Sequence, residues 1–126
     1  MKYLALIYGQ HDRWETLSEE ERSAVYDRYN AFAAEAGDKV VAGAELQGPA
    51  TATTVRVRDD ETVVTDGPYA ETKEQLGGYY VLECASLDEA VQVAARIPGA
   101  EHGVVEVRPA HVDAEGQGEQ GEEDAA

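Results

Sequence analysis

Two segments of this chain, Lys2–Tyr8 and Tyr79–Cys84, read as β-strands that are apolar on both faces. Side chains alternate along a strand, so Leu4, Leu6 and Tyr8 share one face while Tyr3, Ala5 and Ile7 share the other. In the later segment Tyr79 and Val81 oppose Tyr80, Leu82 and Cys84. A strand of this kind must be covered twice. The sequence carries only two helix signals with which to do it. Ser18 and Glu21 form a capping box, followed by Val25, Tyr29, Phe32, Ala33 and Ala36 at helical spacing and closed by Gly37. Ser86 and Glu89 repeat the box ahead of Leu87, Ala90, Val91, Ala94 and Ile97, and Pro98-Gly99 ends that helix.

The remaining elements fall between and after these. A strand over Lys39–Leu46 is stopped by Gly48-Pro49. Thr53–Arg58 alternates cleanly, Asp59-Asp60 turns the chain, and Thr62–Thr65 returns as a short hairpin partner. Residues 66–78 read as irregular, and Val104–Arg108 is the last strand. The order is β-α-β, a β-hairpin, then β-α-β. That predicts an α+β fold, the ferredoxin-like split βαβ with an inserted hairpin. Two helices cover one sheet face only. The expectation is therefore a homodimer whose sheets pack face to face as a dimeric α+β barrel.

Length and charge bound what such a domain can do. With 126 residues there is room for one domain. Lys+Arg number 10 against 26 Asp+Glu, a formal net charge of -16. Six of the acids lie in residues 113–126, a stretch without any large apolar side chain. Residues 1–112 are read as the domain and 113–126 as a disordered acidic tail. An acidic body is repelled by phosphate backbones, which excludes nucleic acid as a direct ligand. No apolar run approaches the ~20 residues of a membrane-spanning helix, and the first residues read as a strand rather than a signal peptide. The lone Cys84, read as a buried inert thiol, fits a reducing cytoplasm.

The least generic stretch runs from Thr65 to Tyr80. Asp66 ends a strand before Gly67-Pro68, and Pro68 has no N–H to offer the carboxylate. Asp66 either caps a turn through a later amide or stays available to a ligand or proton. Glu71, Lys73 and Glu74 share its loop, and Gly77-Gly78 signals close backbone approach. The candidate catalytic residues are Asp66 as base, Tyr8 or Lys73 as acid or oxyanion stabiliser, and His11 in the loop after the first strand. Arg56, Gly67, Pro68, Tyr69 and Glu71 are the candidate substrate-binding residues, with Arg56 or Lys73 anchoring a carboxylate. Neither GxGxxG nor GxxxxGK[ST] occurs, so no nucleotide cofactor is expected. His11, His102 and His111 lack ligand spacing, so no metal is expected.

Val64-Thr65-Asp66-Gly67-Pro68-Tyr69-Ala70-Glu71-Thr72-Lys73-Glu74-Gln75-Leu76-Gly77-Gly78-Tyr79-Tyr80 resembles the signature of the DGPF branch of the YCII-related family, with Tyr69 replacing its name-giving Phe. The likeness continues through Lys2–Tyr8, Ala52–Arg56 and Val105–Pro109. The resemblance implies a ferredoxin-like dimeric α+β barrel. It implies distant kinship with muconolactone isomerases and a dehydrochlorinase, and in some relatives a His-Asp pair. Here the Asp corresponds to Asp66, but no His lies in residues 18–36, which leaves His11 as the substitute. The function that follows is binding or transformation of a small organic acid near the Asp66 loop by cofactor-free proton transfer, as in an isomerase or lyase. The alternative is a non-catalytic partner protein in a sigma-factor-linked stress or regulatory pathway.

Overall fold

Alternation and capping chemistry set the frame of the computed structural model, which describes residues 1–111. The elements are β1 (Lys2–Gly9), α1 (His11–Glu15), α2 (Glu19–Ala36), β2 (Val40–Glu45), β3 (Thr53–Arg58), β4 (Glu61–Asp66), β5 (Gln75–Glu83), α3 (Leu87–Ala94) and β6 (Val104–Pro109). Four strands form an antiparallel sheet in the order β2-β5-β1-β6, the ferredoxin-like arrangement. The expected α+β fold is the one observed. The hairpin β3–β4 makes a two-stranded sheet of its own. The stretch read as an acidic tail lies outside the described residues.

The two long helices, α2 and α3, lie on one face of the four-stranded sheet. Tyr3, Ala5, Leu82 and Cys84 meet Phe32 and Ala36 of α2, Ala90, Val93 and Ala94 of α3, and Ile97 in a single buried cluster. Phe32 packs on Tyr80 at 5.2 Å between ring centroids. The first capping box forms completely: Glu21 N–H donates to Ser18 Oγ and Ser18 N–H donates to Glu21 Oε1. The second forms by half. Glu89 N–H donates to Ser86 Oγ, but the Glu89 carboxylate accepts from Ala85 N–H and pairs with Lys39 instead. The buried side of α3 is also rotated from the expected one, because Leu87 and Val91 are both half exposed while Val93 is buried.

Register fixes what the opposite face carries. Leu4 stands across from Val81 and Leu6 from Tyr79, with Ala42 and Ala44 beyond them on β2. Tyr8 stands across from Val104 on β6. None of these side chains is buried. This is the second apolar face that the sequence pattern anticipates, and it is uncovered.

Two differences from expectation alter the segments around the site. β5 begins at Gln75, so the segment after Asp66 is irregular only as far as residue 74. Glycines that look like a strand breaker are inside the strand. Gly77 is the extra residue of a bulge opposite Ile7 and Tyr8, and a β-carbon on Gly78 would stand 2.9 Å from the Ala44 carbonyl oxygen. The stretch after Gly9, read as a loop, is instead the one-turn helix α1.

Candidate functional site

α1 owes its existence to its neighbours rather than to its length. Arg22 of α2 donates from Nε to the Trp14 carbonyl and from a terminal nitrogen to the Glu15 carbonyl, satisfying the helix end. Its guanidinium lies 5.4 Å from the centre of the Trp14 ring, which also makes an edge contact with Tyr26. So anchored, α1 presents His11 and Glu15 on one side, one turn apart, with His11 Nε2 3.9 Å from Glu15 Oε1.

The His11 ring rests on the backbone of Gly48. A β-carbon at that position would lie 2.6 Å from Nε2 and 2.8 Å from Cε1, so any larger residue there would push the imidazole from this seat. The following turn, Pro49–Thr51, is closed by Thr51 Oγ1 donating to the Gly48 carbonyl. Across from it runs the loop into β5. Gln75 Nε2 donates to the Thr72 carbonyl at 2.8 Å and reaches Thr72 Oγ1 at 3.1 Å, which ties down the segment that carries Lys73.

These three pieces enclose a cleft of about 540 Å³, lined by His11, Asp12, Glu15, Pro49, Thr72 and Lys73 among others. That is within the size range of small-molecule sites. One histidine, two acidic residues and one lysine are thus among its lining residues. A smaller groove of about 290 Å³ lies between α2 and the end of α3, bridged by the ion pairs Arg28–Glu101 and Arg96–Glu35.

Of the residues singled out in the sequence, His11 and Lys73 both line the cleft, although they are far apart in the chain. His11 is the first residue of α1, not part of a loop. The others lie elsewhere. Tyr8 points to the uncovered face of the sheet. Asp66 ends β4 and is exposed, and its carboxylate accepts no hydrogen bond among the described residues. Arg56 and Asp66 form no ion pair among the described residues, for a geometric reason. Arg56 opposes Val63 and Asp66 opposes Thr53, which puts the two side chains on opposite faces of the ribbon. Gly67 has φ 96° and gives its N–H to the Ala52 carbonyl, while Pro68 is half-buried behind it. Tyr69 is 81% exposed and Glu71 is exposed. Glu15, Gly48 and Gln75 escaped the sequence reading. Only the four-residue step from His11 to Glu15 offered a signal. Cys84 is buried, and burial raises its thiol above the ordinary value, in keeping with an inert group.

A family model, the YCII-related domain, matches residues 1–111. The chain belongs to the YCII-related family. This YCII-related chain is 41% identical over 114 residues to uncharacterised protein R00369 of Rhizobium meliloti (strain 1021), covering 86% of this chain and 91% of that protein. Among solved structures it is similar to 5-chloro-2-hydroxyhydroquinone dehydrochlorinase from Burkholderia phenoliruptrix AC1100 in complex with 2,5-dihydroxybenzoquinone. That likeness has a TM-score of 0.52 and 15% identity, over 93% of this chain and 100% of that one. At such identity the likeness bears on the fold of this YCII-related domain. No described helix is long and apolar enough to cross a membrane.

Proposed function

We propose that this YCII-related protein binds a small organic acid in the His11–Lys73 cleft and transforms it by proton transfer without a cofactor, in the manner of an isomerase or lyase. The reading rests on one observation: His11, seated on Gly48 and one turn from Glu15, shares a cleft with the ammonium of Lys73. Imidazole gives and takes protons near neutral pH, and an ammonium is a point anchor for a carboxylate or enolate oxygen. Glu15 is placed to orient the ring. His11 rather than Asp66 is the proton-handling group in this reading, since Asp66 stands outside the cleft. The fold neighbour named above handles an oxygenated ring and is bound to a dihydroxyquinone, which makes that compound a rational first probe.

The uncovered sheet face extends the proposal to quaternary structure. A second copy laid against Leu4, Leu6, Tyr79 and Val81 would remove from water what the helices leave bare, giving a homodimer.

The test is a thermal-shift and calorimetric screen of the full chain against 2,5-dihydroxybenzoquinone, small carboxylic acids and lactones. A ligand at a hundredfold excess over its Kd stabilises the fold by ~2.7 kcal/mol. Wild type should show such a shift, His11→Gln and Lys73→Gln should lose it, and Asp66→Asn should keep it. A flat response across the library, or loss only in Asp66→Asn, refutes the assignment.

A further inference from the structure

The β3–β4 ribbon has an inside and an outside, yet it is covered on neither. Register puts Val55 across from Val64 and Val57 across from Thr62 on one face, while Arg56, Arg58, Glu61 and Val63 share the other. Val55, Val57 and Val64 are 60%, 59% and 60% exposed. Alternation of this kind belongs to a sheet with one face packed and one in water. A two-stranded hairpin alone is marginally stable. This one also turns through Asp59 at φ 52° and Asp60 at φ 64°, left-handed conformations that disfavour residues with a β-carbon. Its shape calls for a surface on the valine side.

We infer that the valine face of the β3–β4 arm packs on a second copy of this chain, so that in the homodimer each subunit clasps the other. The inference rests on the homodimer reading given above. Area favours it over sheet contact alone. Four strands at ~4.8 Å spacing and about six residues at ~3.4 Å give a sheet face of about 400 Å² per partner, or about 800 Å² in total, no more than a crystal contact. The valine face of the arm adds about 200 Å², and the patch beneath the partner's arm adds as much again. The interface then reaches roughly 800 Å² per partner, the size of a stable specific contact. A two-fold axis makes the arrangement closed and self-complementary. With a net charge of -16 on each chain, the contact must work against repulsion, so added salt strengthens it.

Sedimentation velocity of the full chain from 1 to 100 micromolar decides the matter. Wild type is expected as a dimer, tighter at high salt. Val55→Lys with Val57→Lys should weaken the dimer by about 100-fold or more, with helical circular dichroism unchanged. Val63→Lys with Thr65→Lys puts the same charge on the opposite face and should leave the dimer intact. If the first pair does not fold, Val64→Thr decides, with an expected loss of about 3- to 10-fold. A valine-face variant as dimeric as wild type overturns the clasp while leaving the homodimer standing. A monomeric wild type at 100 micromolar overturns both.

Discussion

Gly103 joins the turn after α3 to β6, at the point where β6 begins to pair with the end of β1. A β-carbon there would fall inside the van der Waals surface of the Tyr8 carbonyl oxygen, and would lie 3.1 Å from the Tyr8 carbonyl carbon and 3.2 Å from Gly9 Cα. All three obstacles are backbone, so no rotamer change relieves them. Ordinary contact needs ~3.5 Å, so in Gly103→Ala the start of β6 must retreat by roughly 1.5 Å. The pairings Tyr8↔Val104 and Ile7↔Val105 open, and Val105 loses part of its packing on the core. Two ladder hydrogen bonds at ~1 kcal/mol each and part of one valine burial make the cost about 2–4 kcal/mol. For a domain of this size that is a fall in Tm of about 8–16 °C. The end of β1 leads through Gln10 straight into His11, so ligand-induced stabilisation should fall as well. Gly9→Ala is the control, because nothing lies within 4 Å of its β-carbon, and it should stay within about 0.5 kcal/mol of wild type. Differential scanning calorimetry of the two variants tests the reasoning. Gly103→Ala melting within about 2 °C of wild type would refute it.

Leu82 lies on a central strand and, like Ile97, is a bulky side chain with no exposed surface. The small members of its cluster, Ala5 and Ala90 among them, cannot refill the space, so Leu82→Ala should cost about 3–5 kcal/mol. Urea denaturation should show it as a lower midpoint at unchanged m-value. The Ala85 amide and then Lys39 hold the Glu89 carboxyl below its ordinary value of 4.5. A carboxylate with a depressed folded pKa stabilises above the unfolded value and loses that contribution as pH falls through the folded one. Stability should therefore drop below about pH 4.5, and Glu89→Gln should flatten that acid limb in a Tm-against-pH series. An unchanged acid limb would reject the account.

Much of this architecture is legible in the sequence because local and global preferences agree there. β3 matches its expected bounds, Thr53–Arg58, because alternation persists to both ends. The capping box at Ser18 marks the start of α2 to the residue. Legibility fails where tertiary pairing overrides local signals. Gln75–Gly78 is drawn into β5 by partners on β1 and β2, despite glycines that favour a break. α1 is too short to be stable alone and is held by Arg22 from the next helix. In the site, His11 and Lys73 are recognisable by chemistry, but their place in one cleft depends on how Gly48 and Gln75 fold two distant loops together. Arg56 and Asp66 illustrate the opposite case. Both look suited to an ion pair, and strand parity alone keeps them apart.

The chain has one tryptophan, and it stands on α1 between His11 and Glu15. Its ring is half-buried, with Tyr26 at its edge and a guanidinium 5.4 Å from its centre. Long-wavelength ultraviolet emission from the whole protein is therefore emission from the helix that supplies His11, Asp12 and Glu15 to the cleft. A ligand that tilts α1, or a quinone that settles beside it and quenches the indole, announces itself in the native chain without any attached dye. The protein carries its own optical gauge, fixed beside the place where its chemistry is proposed to occur.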